Sequence, residues 1–73
     1  MDHKLDLSGV SCPINYVKTK LKLEELESGD LLEVLLDDGE PVKNVPASVR
    51  QDGNQIISVD QTENGWKVVI KKK

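Results

Sequence analysis

Leu5-Asp6-Leu7-Ser8-Gly9-Val10-Ser11-Cys12-Pro13 is the stretch that decides how this chain is read: the end of an apolar strand, a tight glycine turn, then the only cysteine, set directly before a proline. Proline is favoured at the first helical position, because its missing N–H has no intrahelical partner there and its fixed φ suits the helix. The stretch therefore predicts strand, turn and helix start in succession, with Cys12 at the N-cap or next to it. At such a position free backbone N–H groups and the positive end of the helix dipole face the sulfur and favour thiolate over thiol. An unperturbed thiol titrates near roughly 8.5, and helix termini lower that by about one to several units. The competing reading is a small buried hydrophobe, since free cysteine is among the most buried residue types. Against it, cysteine is a poor N-cap beside Ser, Thr, Asp or Asn, so stability alone rarely selects it here.

Working outward, residues 3–7 alternate with Leu5 and Leu7 on one side, as in a short strand with one buried face. Residues 13–26 repeat Ile14, Val17, Leu21, Leu23 and Leu26 at near-helical spacing, with Lys18, Lys20, Lys22, Glu24 and Glu25 as the polar face, and Ser28-Gly29 supplies a stop. Leu31–Leu36 reads as a central strand with Leu32, Val34 and Leu36 on one face. In Asp37-Asp38-Gly39-Glu40 either aspartate suits the cap of a second helix carrying Pro41 in its first turn. Pro46 is expected to kink that helix or split it into residues 41–45 and 46–51, and Asp52-Gly53-Asn54 ends it. Residues 55–61 put Ile57 and Val59 on one face, and residues 66–71 put Trp66, Val68 and Ile70 on one face. Asn64-Gly65 between them is the strongest hairpin signal in the chain. The order β-α-β-α-β-β predicts an α+β two-layer sandwich: a four-stranded mixed sheet with two helices packed on one face.

With 73 residues, 37% of them hydrophobic and 32% charged, the chain fits one small globular domain spanning residues 1–73 and argues against disorder. A single cysteine excludes an intrachain disulfide, and no apolar run approaches a signal-peptide core or a membrane span. The expectation is a cytoplasmic protein in a compartment that keeps thiols reduced. Ten basic against thirteen acidic residues, with one Trp, one Tyr and no Phe, disfavour direct nucleic-acid binding. One His and one Cys do not make the usual nitrogen and sulfur metal set, and no cofactor is implied. The Lys71-Lys72-Lys73 tail is expected to be solvated.

Asp6, Gly9 and Cys12-Pro13 are spaced two residues apart, Gly29 follows the first helix, Asp37-Asp38 follows the second strand, and Asn44-Val45-Pro46 lies in the second helix. In these elements, over nearly its whole length, the chain resembles the TusA/SirA-like sulfur-carrier family. The resemblance implies a two-layer sandwich in which Cys12 takes sulfane sulfur from a protein donor, such as a cysteine desulfurase or a rhodanese-like protein. Cys12 would hold that sulfur as a persulfide and pass it to a protein acceptor, in tRNA thiolation, cofactor sulfuration or sulfur metabolism. It would be a sulfurtransferase acting as a carrier rather than a stand-alone catalyst. Asn15 stands where the family usually has a second proline, and Gly39 where a proline often follows the acidic pair.

Around Cys12, Asp6 is expected to brace the turn, Gly9 to supply a conformation closed to side chains and bring the chain near the sulfur, and Pro13 to set the helix start. Val10, Ile14, Asn15 and Lys18 are candidates for partner docking: an apolar rim, an amide near the sulfur and a steering cation. The core and an exposed helix surface are the alternative places for Val10, Ile14 and Lys18. His3 is expected to be solvated rather than a base for Cys12. The alternative function is a non-catalytic interaction or regulatory module of the same fold. A thiol redox role is weaker, because no second cysteine is present to resolve a mixed disulfide.

Overall fold

A computed structural model describes residues 2–73 of the chain, with β1 (Asp2–Asp6), α1 (Ile14–Glu24), β2 (Leu31–Leu36), α2 (Glu40–Gln51), β3 (Gln55–Thr62) and β4 (Gly65–Lys71). The β2 run Leu-Leu-Glu-Val-Leu-Leu suits a strand flanked on both sides, and it lies inside a sheet of order β1-β2-β4-β3. β1 pairs with it in parallel and β4 antiparallel, so that Val34 faces Leu5 on one side and Val68 on the other. The parallel pair needs a crossover, which α1 provides. Leu32, Val34, Leu36, Val68 and Ile70 are all buried on the same side of the sheet. Leu7, Leu23 and Leu26 with Val45 and Val49 of α2 complete that core, which is the predicted mixed sheet with both helices on one face.

Of the apolar residues predicted for the inner face of α1, Leu23 and Leu26 are buried but the other three are not. Ile14, Val17 and Leu21 are 50%, 43% and 56% exposed, while Asn15, Thr19 and Leu23 are the residues that α1 buries. Burying Asn and Thr costs free energy only if their polar atoms lack partners. Here the Thr19 hydroxyl donates to the Asn15 carbonyl at 2.9 Å, and both ends of the Asn15 amide are engaged. The helix also ends sooner than expected, at Glu24. Gly29 belongs to a later turn, where its φ is +92° and its N–H donates to the Lys72 carbonyl.

Further corrections concern the second half of the chain. α2 runs unbroken through Pro46, which is itself buried. The proline removes one N–H from the helical ladder, and the flanking Val45 and Val49, both fully buried, hold the neighbouring turns on the sheet. In β3 Ile56, paired with Ile70, packs against the core; a bulge lies between Ile56 and Ser58, and Ile57 and Val59 are exposed. The hairpin joins Thr62 to Gly65, which makes Glu63 and Asn64 its central pair rather than Asn64 and Gly65. Gly65 is required for another reason, since a Cβ there would overlap the Leu36 carbonyl oxygen. The lysine tail is docked: Lys72 exchanges backbone bonds with Gly29 and Asp30, and the Lys73 ammonium donates to the Asp52 carbonyl at 2.6 Å.

Candidate functional site

The loop between β1 and α1 is held by two carboxylates. Asp6 accepts the Ser8 N–H at 2.9 Å, a local turn bond that keeps its carboxyl below the ordinary value. Asp37, from the end of β2, accepts the Gly9 N–H at 2.8 Å across 28 residues of sequence. Gly9 itself has φ +78°, which disfavours any side chain, but the space around its Cα is open. Conformation, not close approach to the sulfur, is what requires glycine there.

The acidic pair after β2 does not cap α2. Gly39 occupies the N-cap position, with no side-chain cap bond. Asp37 pins the cysteine loop, and Asp38 accepts the Trp66 indole N–H at 2.8 Å. That bond, with the Gly39 backbone N–H, holds the Asp38 carboxyl below its ordinary value. Both aspartates therefore tie the turn after β2 to neighbouring elements.

Cys12 is exposed, which removes the reading of it as a buried hydrophobe. It sits in the turn one residue before the N-cap, which Pro13 occupies, so the predicted helix start is displaced by one position. The Cys12–Pro13 peptide bond is cis. The donors on Sγ are side-chain amides instead of the backbone N–H groups expected from the sequence. Asn15 Nδ2 lies 3.3 Å from Sγ and Asn44 Nδ2, reaching across from α2, lies 3.9 Å from it. Asn44 also donates to Glu40 at 2.8 Å.

The orientation of the Asn15 amide follows from its other partners. Its Oδ1 accepts the Tyr16 N–H at 2.7 Å, one of the first-turn donors that a helix cannot satisfy internally. Its Nδ2 faces the Val10 carbonyl at 3.5 Å and the sulfur. Tyr16 continues the connection to α2, donating its hydroxyl to Asp52, a bond that raises the phenol above its ordinary value.

A shallow groove of about 360 Å³ opens beside the sulfur, with residues 9–12 on one wall and Asp37, Asp38, Glu40 and Pro41 on the other. Of the docking candidates, Val10 is half-buried against the core, Ile14 and Lys18 are exposed on α1, and Asn15 is buried beneath the sulfur. His3 stands at the far end of β1, half-buried and 3.6 Å from an Asp30 oxygen. Among the described residues, no group of three or more His, Cys, Asp or Glu side chains is placed to hold a metal ion, and no helix is long and apolar enough to cross a membrane.

Asn44, Glu40 and Asp37 were not expected at the site. Asn44 carried a signal, because asparagine is a weak helix former in mid-helix and belongs to the Asn44-Val45-Pro46 element. Asp37 carried a signal of the same kind, as half of the Asp37-Asp38 element, whereas Glu40 had none that distinguishes it from an ordinary helix-start residue.

The family model for sulfurtransferase TusA matches residues 3–72. The chain belongs to the TusA family. Its function is accordingly that of a sulfur carrier. A relative from Archaeoglobus fulgidus, provisionally described as a sulfur carrier protein, is 46% identical over 70 residues, covering 94% of this chain and 80% of the relative. The sulfur carrier protein TusA of Allochromatium vinosum is 32% identical over 71 residues, covering 97% of this chain and 93% of its own. The crystal structure of a SirA-like protein from Desulfitobacterium hafniense superposes with a TM-score of 0.78 at 28% identity, covering 94% of this chain and 93% of that one. The TusA/SirA-like resemblance read along the chain, and the four-stranded mixed sheet predicted from the order of its elements, are thus both borne out.

Proposed function

We propose that Cys12 is the sulfur-carrying residue and that residues 1–73 act as one TusA-like carrier domain in the cytoplasm. The donor is a protein persulfide, of the cysteine desulfurase or rhodanese-like kind, and the acceptor is a second protein. In loading, the Cys12 thiolate attacks the outer sulfur of the donor persulfide. A bond forms between that sulfur and Sγ while the donor's S–S bond breaks, and the donor leaves as its thiolate. Discharge repeats the exchange with Cys12 as the leaving group, so the relay needs no net oxidant or reductant.

The observation that carries this reading is the exposed Sγ, set at the edge of a groove within reach of two amide donors. Such access and donor placement serve thiolate chemistry. Asp6, Gly9 and Pro13 shape the loop. Val10, Ile14 and Lys18 border the sulfur or the helix that follows it and form the docking surface, with Ile14 and Lys18 accessible to a partner.

The test is intact mass after incubation with a cysteine desulfurase and its cysteine substrate. The wild type gains one sulfur atom and Cys12→Ser gains none. A wild type that gains none, while a known carrier loads in the same assay, refutes the proposal. A Cys12→Ser protein that still supports the relay in cells points instead to a non-catalytic module.

A further inference from the structure

We infer that Asn15 promotes the outward half of the relay, by stabilising the Cys12 sulfur as it leaves; the inference rests on Cys12 being the carrier. When an acceptor takes the outer sulfur, the S–S bond breaks and its electron pair stays on Sγ. Negative charge therefore builds on the atom that Asn15 Nδ2 faces at 3.3 Å. In the loaded, ionised persulfide the charge resides mainly on the outer sulfur, one bond further from this amide. The hydrogen bond is thus stronger in the unloaded state, and in the transition state approaching it, than in the loaded ground state. A difference of that sign accelerates the step. Thiol exchange is likewise faster when the leaving sulfur is better stabilised as an anion.

The amide has the properties this role needs. Asn15 is fully buried, so water does not compete for its donor from the helix side. It cannot rotate away without breaking the Tyr16 N–H bond, and a reversed amide would set oxygen against the Val10 carbonyl and the sulfur. Asn44 is the weaker partner. It is exposed, its contact is longer at 3.9 Å, and the Glu40 carboxylate draws on the same nitrogen at 2.8 Å. On loading, the same Asn15 bond holds electron density on Sγ and lowers its intrinsic nucleophilicity, so it gives the inward step no matching gain. The net bias is toward delivery.

A partner-free assay isolates the step. The protein is loaded with inorganic polysulfide, desalted and treated with cyanide, which bonds to the outer sulfur, departs as thiocyanate and leaves the Cys12 thiolate. Asn15→Asp keeps an oxygen for the Tyr16 N–H but turns an anion toward the sulfur, and Asn15→Leu fills the space without a donor. Both release thiocyanate about tenfold more slowly than wild type at pH 8. Asn44→Ala slows release by about twofold. In the folded wild type, the Asn15 side-chain amide resonances shift when Cys12 is loaded and return after cyanide treatment, a readout independent of any variant's folding. Wild-type release by a folded Asn15→Asp or Asn15→Leu, or Asn15 resonances unmoved by loading, overturns the inference while leaving Cys12 as carrier. Failure of the wild type to load overturns the reading beneath it.

Discussion

Leu21 and Leu23 lie two residues apart on α1, and the structure assigns them opposite fates: 56% exposed against 3% exposed. Truncating each to alanine tests the orientation of the helix directly. Leu23→Ala removes buried methyl groups from the core between α1 and the sheet and leaves a cavity, at a cost of about 3 kcal/mol. Leu21→Ala removes atoms that already meet water over more than half their surface. It leaves no enclosed void, and alanine is the slightly better helix former, so the cost is about 1 kcal/mol or less. For a domain of this size each kcal/mol moves Tm by roughly 4–8 °C. Leu23→Ala should therefore melt roughly 12–24 °C below the wild type, and Leu21→Ala no more than about 8 °C below it. Calorimetry or circular dichroism on the two proteins measures the gap. Equal losses, or a larger loss for Leu21→Ala, refute the assignment of Asn15, Thr19 and Leu23 to the inner face.

Asp37→Ala removes the charge-assisted bond to the Gly9 N–H and should cost about 1–2 kcal/mol in urea denaturation, with faster amide exchange at Gly9; unchanged exchange there counts against the link between the two loops. The Asp38–Trp66 bond predicts a pH dependence read by the only tryptophan. The Asp38 carboxyl in the folded protein lies below the ordinary value of 3.8, so its contribution is present above that pH and is lost as pH falls through the lower folded value. Trp66 emission should then change only below about pH 4, and Asp38→Asn should abolish that transition; a Trp66 titration centred near neutrality contradicts it.

How much of this was legible in the sequence depended on whether the signal was local. The β2 alternation of Leu32, Val34 and Leu36 and that of Val68 and Ile70 in β4 survived intact, because a strand's faces follow from a period of two along the backbone itself. Pro41 and Asp52-Gly53-Asn54 marked the ends of α2 for the same reason, since they act on their own dihedrals. Failures came where a longer-range partner settled the outcome. Asp37 and Asp38 suited a helix cap, but Gly9 and Trp66, each 28 residues away, claimed their oxygens. In β3 the pairing with β4 sets Ile56 opposite Ile70, so Ile56 rather than Ile57 packs on the core.

The cysteine site divides along the same line. The sequence by itself determined that a thiol stands at a turn before a helix, that Asp6 and Gly9 form that turn, and that the spacing matches the TusA pattern. All of this lies within a dozen residues, where chain geometry leaves few alternatives. Only the tertiary structure decided that the sulfur is exposed, that Asn44 reaches it from α2, and that Asn15 is turned inward beneath it while Ile14, Val17 and Leu21 face outward. Hydrophobicity alone favours the reverse orientation of α1. Asn15 and Thr19 can be buried because their polar groups find partners within residues 10–16, but which face of α1 turns inward is settled by how Leu23 packs with the sheet and α2.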